Sequence, residues 1–89
     1  MDIIVSKDEI IEYKKLKVIS EITLTKEKVS LFEKKYRCPI DEFRKSMEES
    51  KENFEEWDDY IEWKANIELL KDLENKLTEL DNAKNIKIV

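Results

Sequence analysis

No glycine occurs anywhere in the 89 residues, and proline occurs once, at Pro39. Left-handed turns and close backbone approaches are cheap only at glycine, so phosphate-cradling loops, dinucleotide-binding fingerprints and tight hairpins lack their usual material. What remains is a chain that can run in helix for long stretches, with one interior breaker. Histidine is also absent, which removes the side chain most used for proton transfer near neutral pH and for metal ligation. The expectation is a mainly α fold that is not an enzyme and carries no cofactor or metal. The length fits a single helical domain, 1–89, because two domains would leave neither with a core.

The second half is the easier to read. Pro39 suits a helix start, where its missing N–H costs nothing, and Asp41 and Glu42 put carboxylates in a first turn where the macrodipole favours them. A short helix over 40–51 follows. Asn53 is a suitable N-cap, Glu55 and Glu56 stand in the first turn behind it, and nothing interrupts 54–80. This predicts one long amphipathic helix of roughly 27 residues and 40 Å. Leu69, Leu73, Leu77 and Leu80 recur along it at steps of three and four, the pattern of an apolar seam.

The first half, 1–36, leaves more open. Ser6-Lys7-Asp8-Glu9 fits a capping box, and Ile10, Ile11, Tyr13 and Leu16 carry helical spacing to about residue 17. Residues 18–24 concentrate β-branched side chains and read either as a short strand, with Val18, Ile22 and Leu24 on one face, or as helix. Thr25 then caps a helix over 26–36 through Val29, Leu31, Phe32 and Tyr36. The tail, 85–89, alternates like a strand and is the second place for a short β element. The whole predicts a small helical bundle or hairpin built on one long C-terminal helix.

Charge narrows the choice of partner. Acids outnumber bases 22 to 17, for a formal net charge of −5. The excess is local: residues 1–37 carry net +2, 41–62 net −7 and 63–89 none. A basic protein is the expected partner, a homo-oligomer is the second choice, and direct contact with nucleic acid is the weaker reading. One cysteine, Cys38, allows no internal disulfide and fits a reducing compartment; with no histidine and no second thiol beside it, it reads as a packing residue. Met1 to Lys7 has only a three-residue apolar run and no basic lead, so neither a signal peptide nor a membrane span is expected, and the location expected is cytoplasmic.

Glu48, Glu49, Glu52, Glu55, Glu56, Asp58, Asp59 and Glu62 crowd into fifteen residues opposed only by Lys51. They lack the alternating ligands and glycine turn of a calcium loop and the Glu-x-x-His pairs of a di-iron bundle. Aromatic residues interleave with them. At helical spacing Phe54, Trp57, Ile61, Ala65 and Leu69 line one face, while Tyr60, Trp63, Ile67 and Leu70 line another. Two apolar faces need two things to pack on. Either residues 1–36 fold back over both, or one face serves another chain. On the second alternative Phe54, Trp57, Tyr60, Ile61 and Trp63 supply contact area, and Glu55, Glu56, Asp58, Asp59 and Glu62 meet a basic rim.

Leu31-Phe32-Glu33-Lys34-Lys35-Tyr36, Ile40-Asp41-Glu42-Phe43, the acidic Trp57-Asp58-Asp59-Tyr60-Ile61-Glu62-Trp63 and a Leu-rich helix closing on Ile86-Lys87-Ile88 follow one another along the chain. Over about residues 31–89 this series resembles small archaeal and bacterial antitoxins of type II toxin–antitoxin pairs. In that group a Phe-Glu-x-Lys-Tyr segment is typically followed by glycine and a Ser-capped helix, where this chain has Arg37-Cys38-Pro39. The resemblance implies an inhibitor that neutralises a basic toxin, commonly one acting on RNA, by steric and electrostatic occlusion. Rival readings are a homo-oligomeric scaffold paired through Leu69, Leu73, Leu77 and Leu80, a phage-type nuclease inhibitor, and an autoregulatory DNA-binding protein touching DNA through its Lys-rich first half.

Overall fold

The computed structural model describes residues 6–49 and 53–85. Helix accounts for 93% of them, and no strand occurs among them. Three helices follow in order, α1 Lys7–Tyr36, α2 Ile40–Glu49 and α3 Phe54–Asn85. α1 and α3 lie antiparallel as a hairpin: Lys15 reaches Asp81 at one end (2.6 Å), and Lys35 reaches Asp59 at the other (2.6 Å). The helical hairpin read from the sequence is therefore the fold.

α1 is one unbroken helix of 30 residues, where two helices separated by an optional strand at 18–24 were expected. The β-branched run costs only a few tenths of a kcal/mol per residue in helix, and two features offset that. Val18 and Ile22, one turn apart, are buried against Leu73 with Leu70, Leu77 and Leu80 around them. Thr23 and Thr25 donate their hydroxyls to the carbonyls of Ile19 and Glu21 at 3.0 and 2.7 Å, so neither needs an extended backbone to be satisfied. Leu24, which a strand would put beside Val18 and Ile22, instead lies outside and is 57% exposed. Of the second candidate β position, only Asn85 is described, and it is helical; 86–89 lie outside the described residues. α2 ends at Glu49 and α3 runs five residues past the expected Leu80.

The helix ends follow the local sequence. Ser6 caps α1 by accepting from the Glu9 N–H at 3.2 Å. Arg37 ends it in the left-handed region, φ 56° and ψ 32°; with no glycine in the chain a side-chain-bearing residue takes that position, at a cost of about 1 kcal/mol. Pro39 precedes α2, and its carbonyl accepts from Phe43 at 3.1 Å. Asn53 caps α3 as expected, its side-chain oxygen accepting from Glu55 at 3.0 Å and Glu56 at 3.4 Å.

Two apolar clusters form the core. Val18, Ile22 and Leu73 make one; Phe43, Met47 and Trp63 make the other, with Val29, Phe32, Tyr36, Tyr60 and Ile67 packed on it. The buried polar residues Thr25 and Asn66 lie between the two along the seam, each donating to a carbonyl one turn back in its own helix. Leu73, Leu77 and Leu80 thus pack inside the chain against α1, while Leu69, the first leucine of that seam, is left exposed. The product is a slab, 64 × 30 × 17 Å, with a radius of gyration of 18.9 Å against about 12 Å for a globular domain of this length. In so thin a body each long helix has one side against its neighbour and one side turned out.

Candidate functional site

α3 splits its aromatic residues between those two sides. Phe54 (80% exposed), Trp57 (42%), Ile61 (63%) and Leu69 face outward, with the exposed Ala65 between the last two. They lie on the face expected for a partner. Trp63, expected among the contact residues, is at 0% exposure in the second core cluster. Its ring stacks nearly parallel to those of Phe32 and Tyr36, centroids 5.8 and 6.1 Å away, and is tilted against Phe43 at 5.7 Å. Its indole N–H finds no acceptor among the described residues. Tyr60, also expected to make contact, is half-buried on the same cluster, with Trp57 edge-on to it at 6.1 Å. The reason for both is position: Trp63 stands on the side of α3 that α1 and α2 cover, and a ring so large is worth more there than in water.

The carboxylates divide in the same way. Asp59 is held inside the molecule by Lys35 at 2.6 Å and by the Tyr36 hydroxyl, which donates to the same oxygen. The Lys35 ammonium first and the Tyr36 hydroxyl second hold its carboxyl below the ordinary 3.8, and Asp59 in return raises the Lys35 pKa. Burial, helped by the bond to Asp59, pushes the Tyr36 hydroxyl up to about 12. Glu55 lies 3.5 Å from the same lysine. Glu56 is half-buried. Asp58 and Glu62 are exposed and make no ion pair among the described residues. Of the ten expected contact residues, Phe54, Trp57, Ile61, Asp58 and Glu62 therefore form an outward patch with unspent charge, Glu55 borders it, Glu56 stands on the side of Tyr60 and Trp63, and Tyr60, Trp63 and Asp59 are engaged within.

Trp57, Ile61, Ala65, Leu69, Leu73 and Leu77 are a single row at steps of four. Such a row winds slowly around a helix, so its first four members look outward while its last two meet α1. Sequence reasoning missed a second apolar strip, on the outer side of α1: Tyr13 (70% exposed), Leu16, Leu24 and Leu31. Its signal was present, since these residues fall opposite Ile11, Val18 and Ile22 at helical spacing, but the strand option at 18–24 hid the period.

No helix of the described residues is long and apolar enough to cross a membrane, and no group of three or more Cys, Asp or Glu among them could hold a metal ion. No protein-family model matches the chain, and neither does any curated protein or solved structure.

Proposed function

We propose that this chain is a protein-binding inhibitor of the antitoxin kind, which neutralises a basic, RNA-acting toxin by covering its working surface with the outward face of α3. The observation that carries the reading is the coincidence on one helix face of four uncovered apolar side chains, Phe54, Trp57, Ile61 and Leu69, with the unpaired carboxylates of Asp58 and Glu62. A surface that holds RNA must be cationic. Against such a surface, aromatic and aliphatic anchors supply desolvated contact, while the carboxylates steer encounter and occupy the phosphate-binding groups. The inhibitor performs no chemistry of its own; it excludes the substrate.

The test uses the intact chain and a basic protein encoded beside it. Phe54→Ala with Ile61→Ala should abolish co-purification and restore RNA cleavage by the partner, with helicity unchanged because both side chains are exposed. Raising salt from 50 to 500 mM should weaken the complex at least tenfold. Full inhibition by the double variant, or binding indifferent to salt, would remove the reading.

A further inference from the structure

In two places a lysine of α1 reaches across to α3, and each time a carboxylate meets it: Lys15 finds Asp81 at 2.6 Å, and Lys35 finds Asp59 at 2.6 Å and Glu55 at 3.5 Å. A third place breaks the pattern. Lys14, Lys17 and Glu21 of α1 and Lys76 of α3 line a groove of about 260 Å³ on the seam between the helices, with the buried Val18 as its floor. None of the four charged side chains has an ion-pair partner among the described residues. Lys14 and Lys17 are three residues apart on one helix, a spacing at which like charges repel, and the side chain that meets them from α3 is a third lysine. Three lysines against one glutamate leave the groove at net +2 in a chain of formal net charge −5. A local rule broken without an internal gain is the mark of a place kept for a ligand.

The surroundings narrow the kind of ligand. The volume lies just under the about 300–1,000 Å³ of sites for drug-sized molecules, so the groove has room for a small anion of several linked atoms. Among the described residues its lining holds no aromatic ring to stack on a base and no side-chain amide or hydroxyl to read one, so recognition falls to charge. The charge is also confined. Exposed Asp72 and Glu79 stand one turn to either side of Lys76 on α3. On α1 the next lysines toward this side, Lys7 and Lys28, are seven residues before Lys14 and eleven after Lys17, roughly 10 and 16 Å along the axis. The backbone of a nucleic acid needs a continuous track of cations; a short, dense anion needs only this one cluster.

We propose that this groove binds a short chain of linked phosphates, a di- or triphosphate either free or carried by a nucleotide, with Lys14 and Lys17 on one side of the chain and Lys76 on the other. Lysine binds phosphate as a compact point charge on a flexible stem, so the three ammonium groups can close on a chain that lies between the helices. Glu21 opposes binding, and only an anion of high charge overcomes it. Once seated, the anion ties α1 to α3 and stabilises the fold as its concentration rises. The groove lies toward the Lys15–Asp81 end of the hairpin, whereas Phe54, Trp57 and Ile61 stand toward the Lys35–Asp59 end, so this site is separate from the surface assigned to a basic partner.

Calorimetric titration of the full chain with tripolyphosphate, in about 0.1 M salt, should give a single site with Kd below about 1 mM, and orthophosphate and sulfate should bind more weakly. ATP run alongside separates the sources: binding as tight as that of tripolyphosphate makes a nucleotide the carrier, weaker binding makes the free chain the ligand, and either upholds the site. Lys17→Gln and Lys76→Gln should each weaken binding about fivefold, the worth of one unit charge at about 4 Å in water. Glu21→Gln should tighten it by a similar factor. Glu27→Gln makes the same change in net charge on the uncovered side of α1 and should leave the affinity as it was. All four positions are exposed, so circular dichroism should show the helices kept. No binding at several millimolar tripolyphosphate, lysine variants that bind like the wild type, equal gains from Glu21→Gln and Glu27→Gln, or a short single-stranded RNA that binds more tightly than tripolyphosphate would overturn the proposal.

Discussion

Asp59, Lys35 and Tyr36 show how a residue that reads as part of a charged surface can belong to the frame. Because the folded state holds the Asp59 carboxyl below 3.8, folding binds its proton less well than the unfolded chain does. The contribution is complete above that value and is lost as pH falls through the folded pKa. Tyr36 has the opposite sign: its hydroxyl is raised from 10.0 to about 12, so its contribution is complete below pH 10 and is lost as pH climbs toward 12. Urea denaturation across pH should show a plateau between these limits, and Asp59→Asn should flatten the acid side. Tyr36→Phe, which removes one hydroxyl donor to a carboxylate, should cost about 1 kcal/mol at pH 7. Nothing in the sequence distinguishes Asp59 from Asp58 beside it. One step of 100° around α3 turns the first toward Lys35 and the second toward water, and only the packing of α1 on α3 makes that difference count.

At the scale of the helix, the two tryptophans of α3 should behave as different kinds of residue. Trp63→Ala empties the centre of a cluster of four aromatic rings and should cost about 3–5 kcal/mol; Trp57→Ala should cost less than about 1 kcal/mol, since that ring is 42% exposed. Trp63→Phe should fall between, because it gives up area but also removes a buried N–H that has no acceptor among the described residues. Chemical denaturation measures all three, and acrylamide should quench only Trp57 in the folded wild type. Much of this level was legible in advance. The caps at Ser6 and Asn53, the break at Pro39 and the two apolar faces of 54–70 follow from side-chain type and spacing alone. The unbroken course of α1 did not, because β-branched residues sit well in a strand or in a helix with a buried stripe, and the choice fell to Leu73 and its neighbours some fifty residues away.

For the molecule as a whole, shape follows from the shortage of turns. Two helices of 30 and 32 residues joined through one of 10 cannot fold again on themselves, so they lie side by side as a slab. Small-angle scattering at high dilution should give a radius of gyration close to 18.9 Å, and a value near 12 Å would mean that the hairpin closes into a rounder bundle. Which outer face carries which charge was readable from the sequence once the helices were known to be continuous. That both faces stay uncovered was not, because it depends on how little of a long helix one neighbour can hide.

The row from Trp57 to Leu77 ties the inside of this protein to its outside. Insert a single amino acid beside Ala65 and everything upstream rotates by about a quarter turn relative to everything downstream. The leucines would keep their grip on Val18 and Ile22 while Trp57 and Ile61 swung off their present bearing, or the reverse. Side chains on the surface of α3 can therefore be exchanged one at a time, but the spacing between its two halves is fixed, and insertions and deletions belong in the connection at 37–39.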